Sequence, residues 1–566
     1  MAEAALTGES HTVTKSTDVI AEQSALAERH NMVFMNTVVT RGRIEAIVTA
    51  TGMGTEMGRI AGMLAEASEA ATPLQIQLDR LGKRLAAIAG VMVGLIFAIG
   101  LARGDDLVRT AMNAIALAVA AIPEGLPAVV TVTLALGMHR MAKRHAIVKK
   151  LAAVETLGCT TVICSDKTGT LTLNQMTARR VFYRGRRFDV SGEGYAGQGA
   201  IVAQDSGPVP DLLALATPLA LCADARIHDG ALIGDPTEGA LLALAAKSGR
   251  DPDTAIEHSP RIAEIPFDSA HKLMATFHRD GAVVRMWVKG APDVLFLRAK
   301  QYLGFDGELP FDEVARAALA TENAALAAQA MRVLAVAGRT IPAADFDPAG
   351  KLMIWADDLT LIGLVGIIDP PRPEARDAIR ECRAAGIAVK MITGDQRVTA
   401  AAIARDLGLD GDVHEGRELD GLDQEQVATL VERSAVFARV APEHKLRIVE
   451  ALQAHGHVVA MTGDGVNDAP ALKTANIGVA MGITGTEVSK EAASLVLTDD
   501  NFASIVSAVK EGRTIYDNIV KFVRFQLSTN IGAILSVLGA MLLGIPTPFT
   551  AIQILWVNII MTARQP

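Results

Sequence analysis

The run Asp166-Lys167-Thr168-Gly169-Thr170-Leu171-Thr172 follows a short apolar stretch, residues 160–164. A carboxylate delivered to the end of a buried strand can be a nucleophile, one oxygen attacking phosphorus in line while a bound cation neutralises the transferring group. Such a site needs more carboxylates for a hard cation and backbone amides for phosphate oxygens. The chain supplies them at three further places where an apolar run meets an acidic or glycine-rich turn. Residues 364–368 lead into Asp369-Pro370-Pro371-Arg372, residues 389–392 into Thr393-Gly394-Asp395, and residues 458–461 into Thr462-Gly463-Asp464-Gly465, with Asn467 and Asp468 just beyond. Lys445, on a helix expected after Pro442, offers a point positive charge. Alone, Asp-Lys-Thr-Gly is an ordinary strand-to-turn link; the four turns together point to magnesium-dependent phosphoryl transfer.

Positioning these turns takes an α/β unit. Strand-like and helix-period segments alternate between the second and third apolar blocks described below, the pattern of a parallel sheet whose ligands sit at the carboxyl ends of its strands. Residues from about 178 to 355 interrupt the alternation and read as an inserted domain. No Walker-type loop is present, which disfavours the P-loop ATPases.

Composition places the rest. The 566 residues include 54 Lys plus Arg against 63 Asp plus Glu, a net charge of −9 that carries no nucleic-acid footprint. With 50% hydrophobic and 21% charged residues, the chain is neither disordered nor an ordinary single soluble domain. Cys159, Cys164, Cys222 and Cys382 are too few and too scattered for a disulfide framework or a zinc site and read as reduced thiols. The apolar surplus lies in four blocks, residues 85–101, 111–138, 515–543 and 549–562. Arg80, Lys83 and Arg84 precede the first, and Arg140, Lys143, Arg144, Lys149 and Lys150 follow the second. Basic flanks on both outer ends predict a membrane hairpin with residues 145–510 cytoplasmic. Ahead of it, residues 32–39 and 44–50 look strand-like. Within the second block Glu124 stands between Pro123 and Pro127, which free the carbonyls of Val119 and Pro123 at its depth. A carboxylate beside freed carbonyls is an oxygen cage for a hard cation such as Ca²⁺; the bland alternative is a kinked helix with a paired Glu.

The Asp166 to Thr172 run, Thr393-Gly394-Asp395 and Gly463-Asp464-Gly465-Val466-Asn467-Asp468, in this order, resemble the P-type cation-transporting ATPases, and Thr7-Gly8-Glu9-Ser10 resembles their actuator signature. The resemblance implies a multi-domain α/β protein with transmembrane helices: a haloacid-dehalogenase-like phosphorylation domain, an inserted α+β nucleotide-binding domain, a partial β-rich actuator domain and about four membrane helices. Asp166 would be the phosphorylated nucleophile. Asp166, Asp464 and the Thr168 carbonyl would hold Mg²⁺, and Thr393, Gly394, Lys445 and Asn467 would contact phosphoryl oxygens, beside Asp395 and Asp468. Glu9 would aim the hydrolytic water. ATP would be held by Glu238, Phe267, Lys272, Lys289 and Arg332, a ring for the adenine and cations for the phosphates.

The run Ile122-Pro123-Glu124-Gly125-Leu126-Pro127 is similar to the calcium pumps and their bacterial relatives. It implies an ion site of Glu124, the carbonyls of Val119, Ala120 and Ile122, and Asn558. A second site there uses Asn530 and a carboxylate at Ala533, which cannot ligate, and Thr562 stands where an Asp is expected. Ca²⁺ is the favoured cargo, with Mn²⁺ or a monovalent cation as alternatives. The implied division is 1–60, actuator remnant; 61–141, a linker helix with spans at 85–102 and 108–138; 142–177 and 356–512, phosphorylation domain; 178–355, nucleotide-binding domain; and 513–566, a membrane helix and part of another. Both ends read as the edges of a shortened chain. The expectation is an ATP-driven cation pump in a bacterial plasma membrane, with the bilayer, ATP and a cation as partners. A membrane-tethered phosphatase or an inactive nucleotide-binding fragment are the alternatives.

Overall fold

The apolar runs that end in acidic turns become neighbouring strands. In the computed structural model, Val162–Asp166 lies between Ala388–Ile392 and Val459–Gly463, parallel to both. The structure describes residues 1–566 apart from 2, 4–5, 7–12, 22–23, 25, 41, 67–72, 105, 107, 109, 112–113, 115–125, 196, 229, 269–270, 546–547, 550–552, 554–555 and 557–566. Beyond Val459–Gly463 the sheet continues through Ile477–Met481 and Leu495–Leu497 to the antiparallel edge strand Ala146–Val148. On the other side come Ser434–Ala438 and Asp412–Glu415, making eight strands. Ser434–Ala438, Val459–Gly463 and Ile477–Met481 are buried at every position, as a sheet covered on both faces requires. Ile392 pairs with Asp166 and Met461 with Cys164, so the turns after these three strands leave the sheet at one level.

One strand departs from expectation. Residues 364–368 belong to the longer strand Leu359–Ile368, which joins a ten-stranded sheet, antiparallel to Arg332–Pro342 and Thr177–Tyr183. An apolar run buried on both faces reads alike whether its neighbours run parallel or antiparallel, so sequence could not assign its sheet. Its end still returns to the Asp166 turn, where Thr172 and Pro371 form a bridge. The helices Leu213–Leu221 and Pro236–Lys247 pack into one core of this second sheet, and Pro292–Arg298 and Glu313–Ala327 into another.

Residues 32–39 and 44–50 form no strand, correcting the strand-like reading. Ile47 and Val48 are largely exposed, and an alternating run without a ladder partner has nothing to satisfy its backbone in a sheet. Leu6 and Ile60, the latter on the helix Glu56–Glu66, instead pack against Val466 beside the Asp464 turn. Among the described residues, two helices are long and apolar enough to cross a membrane, Gly82–Arg103 and Phe502–Ala540, against the four spans expected; a shorter apolar helix covers Val129–Ala142. Most of the stretch before Leu126 and most of the fourth block lie outside the described residues. The helix Phe502–Leu543 has 42 residues, about 63 Å at 1.5 Å per residue, and runs unbroken from the parallel sheet into its apolar half.

Candidate active site

Asp166 ends its strand with its N–H donated to Thr462 Oγ1 at 2.9 Å, which ties it to the neighbouring strand's turn. Lys445, in the second turn of the helix Pro442–Ala454, donates to Asp166 Oδ2 at 2.8 Å and to Asp468 Oδ1 at 2.5 Å. Burial pulls the Lys445 pKa down, but the Asp166 and Asp468 carboxylates outweigh it and favour the charged ammonium. Asp468 Oδ2 accepts the N–H groups of Asp464 and Gly465 at 3.1 and 2.9 Å. Gly465 lies close against Asn467, so a Cβ there would displace the Asn467 amide oxygen. Asn467 is buried and that oxygen has no partner among the described residues.

One oxygen each of Asp166, Asp464 and Asp468 lie within 4.8 Å of one another. Burial first, then the charges of Asp166 and Asp468, push the Asp464 carboxyl above its ordinary range. A hard divalent cation relieves that crowding, and the all-oxygen donor set fits Mg²⁺. Asp468 is already engaged by Lys445 and two backbone N–H groups, which leaves Asp166 and Asp464 as the carboxylates to hold it. Thr168 follows in the turn Lys167–Leu171, where Gly169 takes φ +72°. Lys167 pairs with Asp395 at 2.8 Å, Asp395 N–H donates to Thr393 Oγ1, and the Thr393 N–H donates to the Phe437 carbonyl, fixing Gly394 between them. Asp369, whose turn reads from sequence as one of the acidic turns of the site, is not in that carboxylate group; it accepts from the Thr172 hydroxyl at 2.6 Å and the Gln175 N–H at 3.2 Å, and burial pushes its carboxyl up. Its position after an apolar run was the available signal.

In the second sheet, Lys289 Nζ donates to Glu238 Oε1 at 2.5 Å, and Glu238 Oε2 accepts the N–H groups of Asp224 and Ala225. Arg332 donates to Thr237 Oγ1 at 2.9 Å, on the first turn of the same helix as Glu238. Lys289 pairs in register with Met274, and Asp268 with Leu273, so Phe267 and Lys272 flank the same strand ends. Phe267 is 58% exposed, with its ring available for stacking, and Lys272 lies 3.6 Å from Asp293. The five residues thus gather at one end of neighbouring strands, although Lys289 is engaged by Glu238. Thr237 was not foreseen, its only sign being its place next to Glu238.

Glu9, Val119, Ala120, Ile122, Glu124, Asn558 and Thr562 fall outside the described residues. Asn530 is described: it is buried on the long helix with no partner for its amide among the described residues, as is Gln526 one turn earlier.

Comparison with known proteins adds a family. Residues 1–65 match the family described as "P-type ATPase actuator domain", and residues 211–374 match "P-type ATPase, cytoplasmic domain N". A "Calcium-transporting ATPase" of Bacillus subtilis is 49% identical over an alignment of 578 positions, gaps included, covering 99% of this chain and 64% of that protein. A "Probable cation-transporting ATPase F" of Mycobacterium tuberculosis is 47% identical, covering 98% and 63%. A "Calcium-transporting ATPase 1" of Lactococcus lactis is 45% identical, covering 99% and 63%. The chain spans a little under two thirds of the length of each.

Proposed function

The chain belongs to the P-type ATPase family, and from that premise we propose that it transfers the γ-phosphoryl group of ATP to Asp166 and couples the acyl phosphate to cation transport. The observation that carries this reading is the charged Lys445 bridging Asp166 and Asp468 at the end of the parallel sheet, with Asp464 beside them. An Asp166 carboxylate oxygen attacks the γ-phosphorus, the bond from that phosphorus to the β,γ-bridging oxygen breaks, and ADP leaves with the electron pair. Mg²⁺ held by Asp166, Asp464 and the Thr168 carbonyl would supply charge neutralisation on the transferring oxygens. Lys445 and the Thr393, Gly394 and Asn467 groups meet those oxygens, with Asp395 holding Lys167 beside them. Water aimed by Glu9 then attacks the phosphorus, releasing phosphate and restoring the carboxylate. Phe267 stacks on the adenine, Lys272 and Arg332 meet the phosphates, and the Glu238–Lys289 pair shapes the pocket floor.

For the cargo we propose Ca²⁺, with Mn²⁺ second, held by Glu124, the carbonyls of Val119, Ala120 and Ile122, and Asn558. The reading is supported by the names of the Bacillus subtilis and Lactococcus lactis relatives and by the oxygen donors of the Pro123–Pro127 segment. The test is incubation with γ-labelled ATP and Mg²⁺ across Ca²⁺, Mn²⁺, Na⁺ and K⁺. Acid-stable, hydroxylamine-labile label that requires Ca²⁺ or Mn²⁺ is expected. Turnover indifferent to every cation would reduce the protein to a phosphatase, and nucleotide binding without label would remove the phosphoryl transfer altogether.

A further inference from the structure

Asp499 and Asp500 stand where the chain enters the long helix Phe502–Leu543, and acids in that position ordinarily cap the helix. Here Asn501 is the cap, its Oδ1 accepting the Ala503 N–H at 2.9 Å, and Asp499 supports it, its Oδ1 accepting the Asn501 N–H at 3.2 Å and its Oδ2 the Ser504 hydroxyl at 2.7 Å. Asp500, only 2% exposed, faces the other way. Its Oδ1 accepts the N–H groups of Gly482 and Ile483 at 2.7 and 3.0 Å, and its Oδ2 accepts the N–H and hydroxyl of Thr484 at 2.8 and 2.9 Å. Three successive N–H groups converging on one carboxylate make a nest around a built-in anion. The Asp500 backbone has φ +50°, a region that non-glycine residues keep only where their surroundings hold them.

What this clamp grips is a wall of the Asp166 centre. Two residues past the clamped segment, the Thr486 N–H donates to the Asp464 carbonyl at 2.8 Å, and the Ser489 hydroxyl donates to the same oxygen at 2.9 Å. The Thr484 hydroxyl, oriented by Asp500, lies 3.7 Å from the point where a Cβ on Gly169 would stand, and Asp464 Oδ2 lies 4.0 Å from that point. Residues 482–489 therefore run between Asp500 on one side and Gly169 and Asp464 on the other.

We propose that Asp500 is a positioning residue for phosphoryl transfer: by clamping residues 482–484 it fixes the Asp464 main chain through Thr486 and Ser489, and so sets where the Asp464 carboxylate meets the divalent cation. The inference rests on the reading of Asp166 and Asp464 as a Mg²⁺ centre. Asp500 touches neither nucleotide nor metal; it acts through the turn.

The test uses the full chain and Mn²⁺ as a paramagnetic stand-in for Mg²⁺, with binding followed by spin resonance and, separately, label from γ-labelled ATP. Asp500→Asn keeps the left-handed backbone accessible but presents an NH₂ to N–H donors. Loss of an outer partner of a metal ligand weakens metal binding about 10- to 100-fold, so the Mn²⁺ midpoint should rise on the order of 10-fold. At saturating Mn²⁺ the label should return to the unsubstituted level. A merely structural role would lower the melting temperature and the label at every metal concentration without moving the midpoint. Thr484→Val should shift the midpoint in the same direction, and Thr484→Ser should restore it; this pair decides if Asp500→Asn does not melt cooperatively. Coincident Mn²⁺ midpoints in all variants overturn the proposal, as does an unsubstituted chain that binds no Mn²⁺. If the unsubstituted chain binds Mn²⁺ but takes no label, the proposed function fails, and the shifted or unshifted midpoint of Asp500→Asn still decides the clamp.

Discussion

Lys445 is the residue on which the centre turns, because it is buried with two aspartates whose charges it alone balances among the described residues. Lys445→Met would leave Asp166 and Asp468 uncompensated, and the expected cost is about 3–5 kcal/mol, read as a lowered melting temperature together with lost label. A variant as stable as the parent would show that the two carboxylates find another partner. Asp166→Asn should retain the fold and abolish label; label persisting in it refutes the nucleophile assignment. At the second sheet, removing the exposed Phe267 ring should weaken ATP binding by about 1–3 kcal/mol if it stacks on the base, which calorimetry on Phe267→Ala would measure. Asp166 and Asp464 were legible from sequence because each follows an apolar run in a short stretch of distinctive composition, and Lys445 because Pro442 marks the start of its helix. Thr462, Thr484 and Asp500 were not, since a hydroxyl or carboxylate bonded across the fold leaves no local pattern.

At the scale of elements, two close contacts carry consequences. The helices Leu151–Gly158 and Phe502–Leu543 cross at glycines: a Cβ on Gly512 would lie 2.7 Å from the Gly158 nitrogen and 2.8 Å from the Val154 carbonyl oxygen. The first of these helices leads directly into the Asp166 strand and the second is the long apolar one, so the crossing joins the chemistry to a candidate span. Gly512→Ala should cost about 1–3 kcal/mol by overpacking, measured by thermal denaturation, and an unchanged melting temperature would show that the helices separate freely. On the strand Leu273–Asp280, His278 is buried against the Ser259 carbonyl and the Thr276 hydroxyl. Burial chiefly, with Arg261 assisting against the pull of the Ser259 carbonyl, lowers its pKa. The unfolded chain therefore takes up a proton near pH 6.5 that the folded chain refuses, and stability should fall as pH drops through that value. His278→Gln should flatten the acid limb of a stability–pH profile; an identical limb would assign it to other groups. Strand positions were readable here, but the sheet to which Leu359–Ile368 belongs was not, because apolar content does not encode the direction of a neighbour.

For the whole molecule, the arrangement is an α/β unit with a large inserted antiparallel sheet, joined to long apolar helices. Gly82–Arg103 and Phe502–Ala540 should keep the chain in the membrane pellet through alkaline carbonate extraction, and release into the supernatant would mean that these helices pack only against protein. Glu124→Gln should weaken the ion dependence of label from ATP while leaving label from inorganic phosphate largely intact; undiminished ion dependence would remove Glu124 as the ligand. By itself the sequence determined which residues are candidates and their order along the chain: Asp166 as a candidate nucleophile, Lys445, Asp464 as a candidate metal ligand, a candidate nucleotide-binding set, and Glu124 as a lone acid between prolines. Those are statements about residue type and short spacing, which a linear string records. Only the tertiary structure decided that residues 364–368 belong to the second sheet, that the described residues of 32–50 form no strand, that Asp468 organises a turn, and that Asp500 grips the loop behind Asp464. Each depends on through-space hydrogen bonds and packing between segments far apart in the chain, and these exist only once the backbone has closed around them.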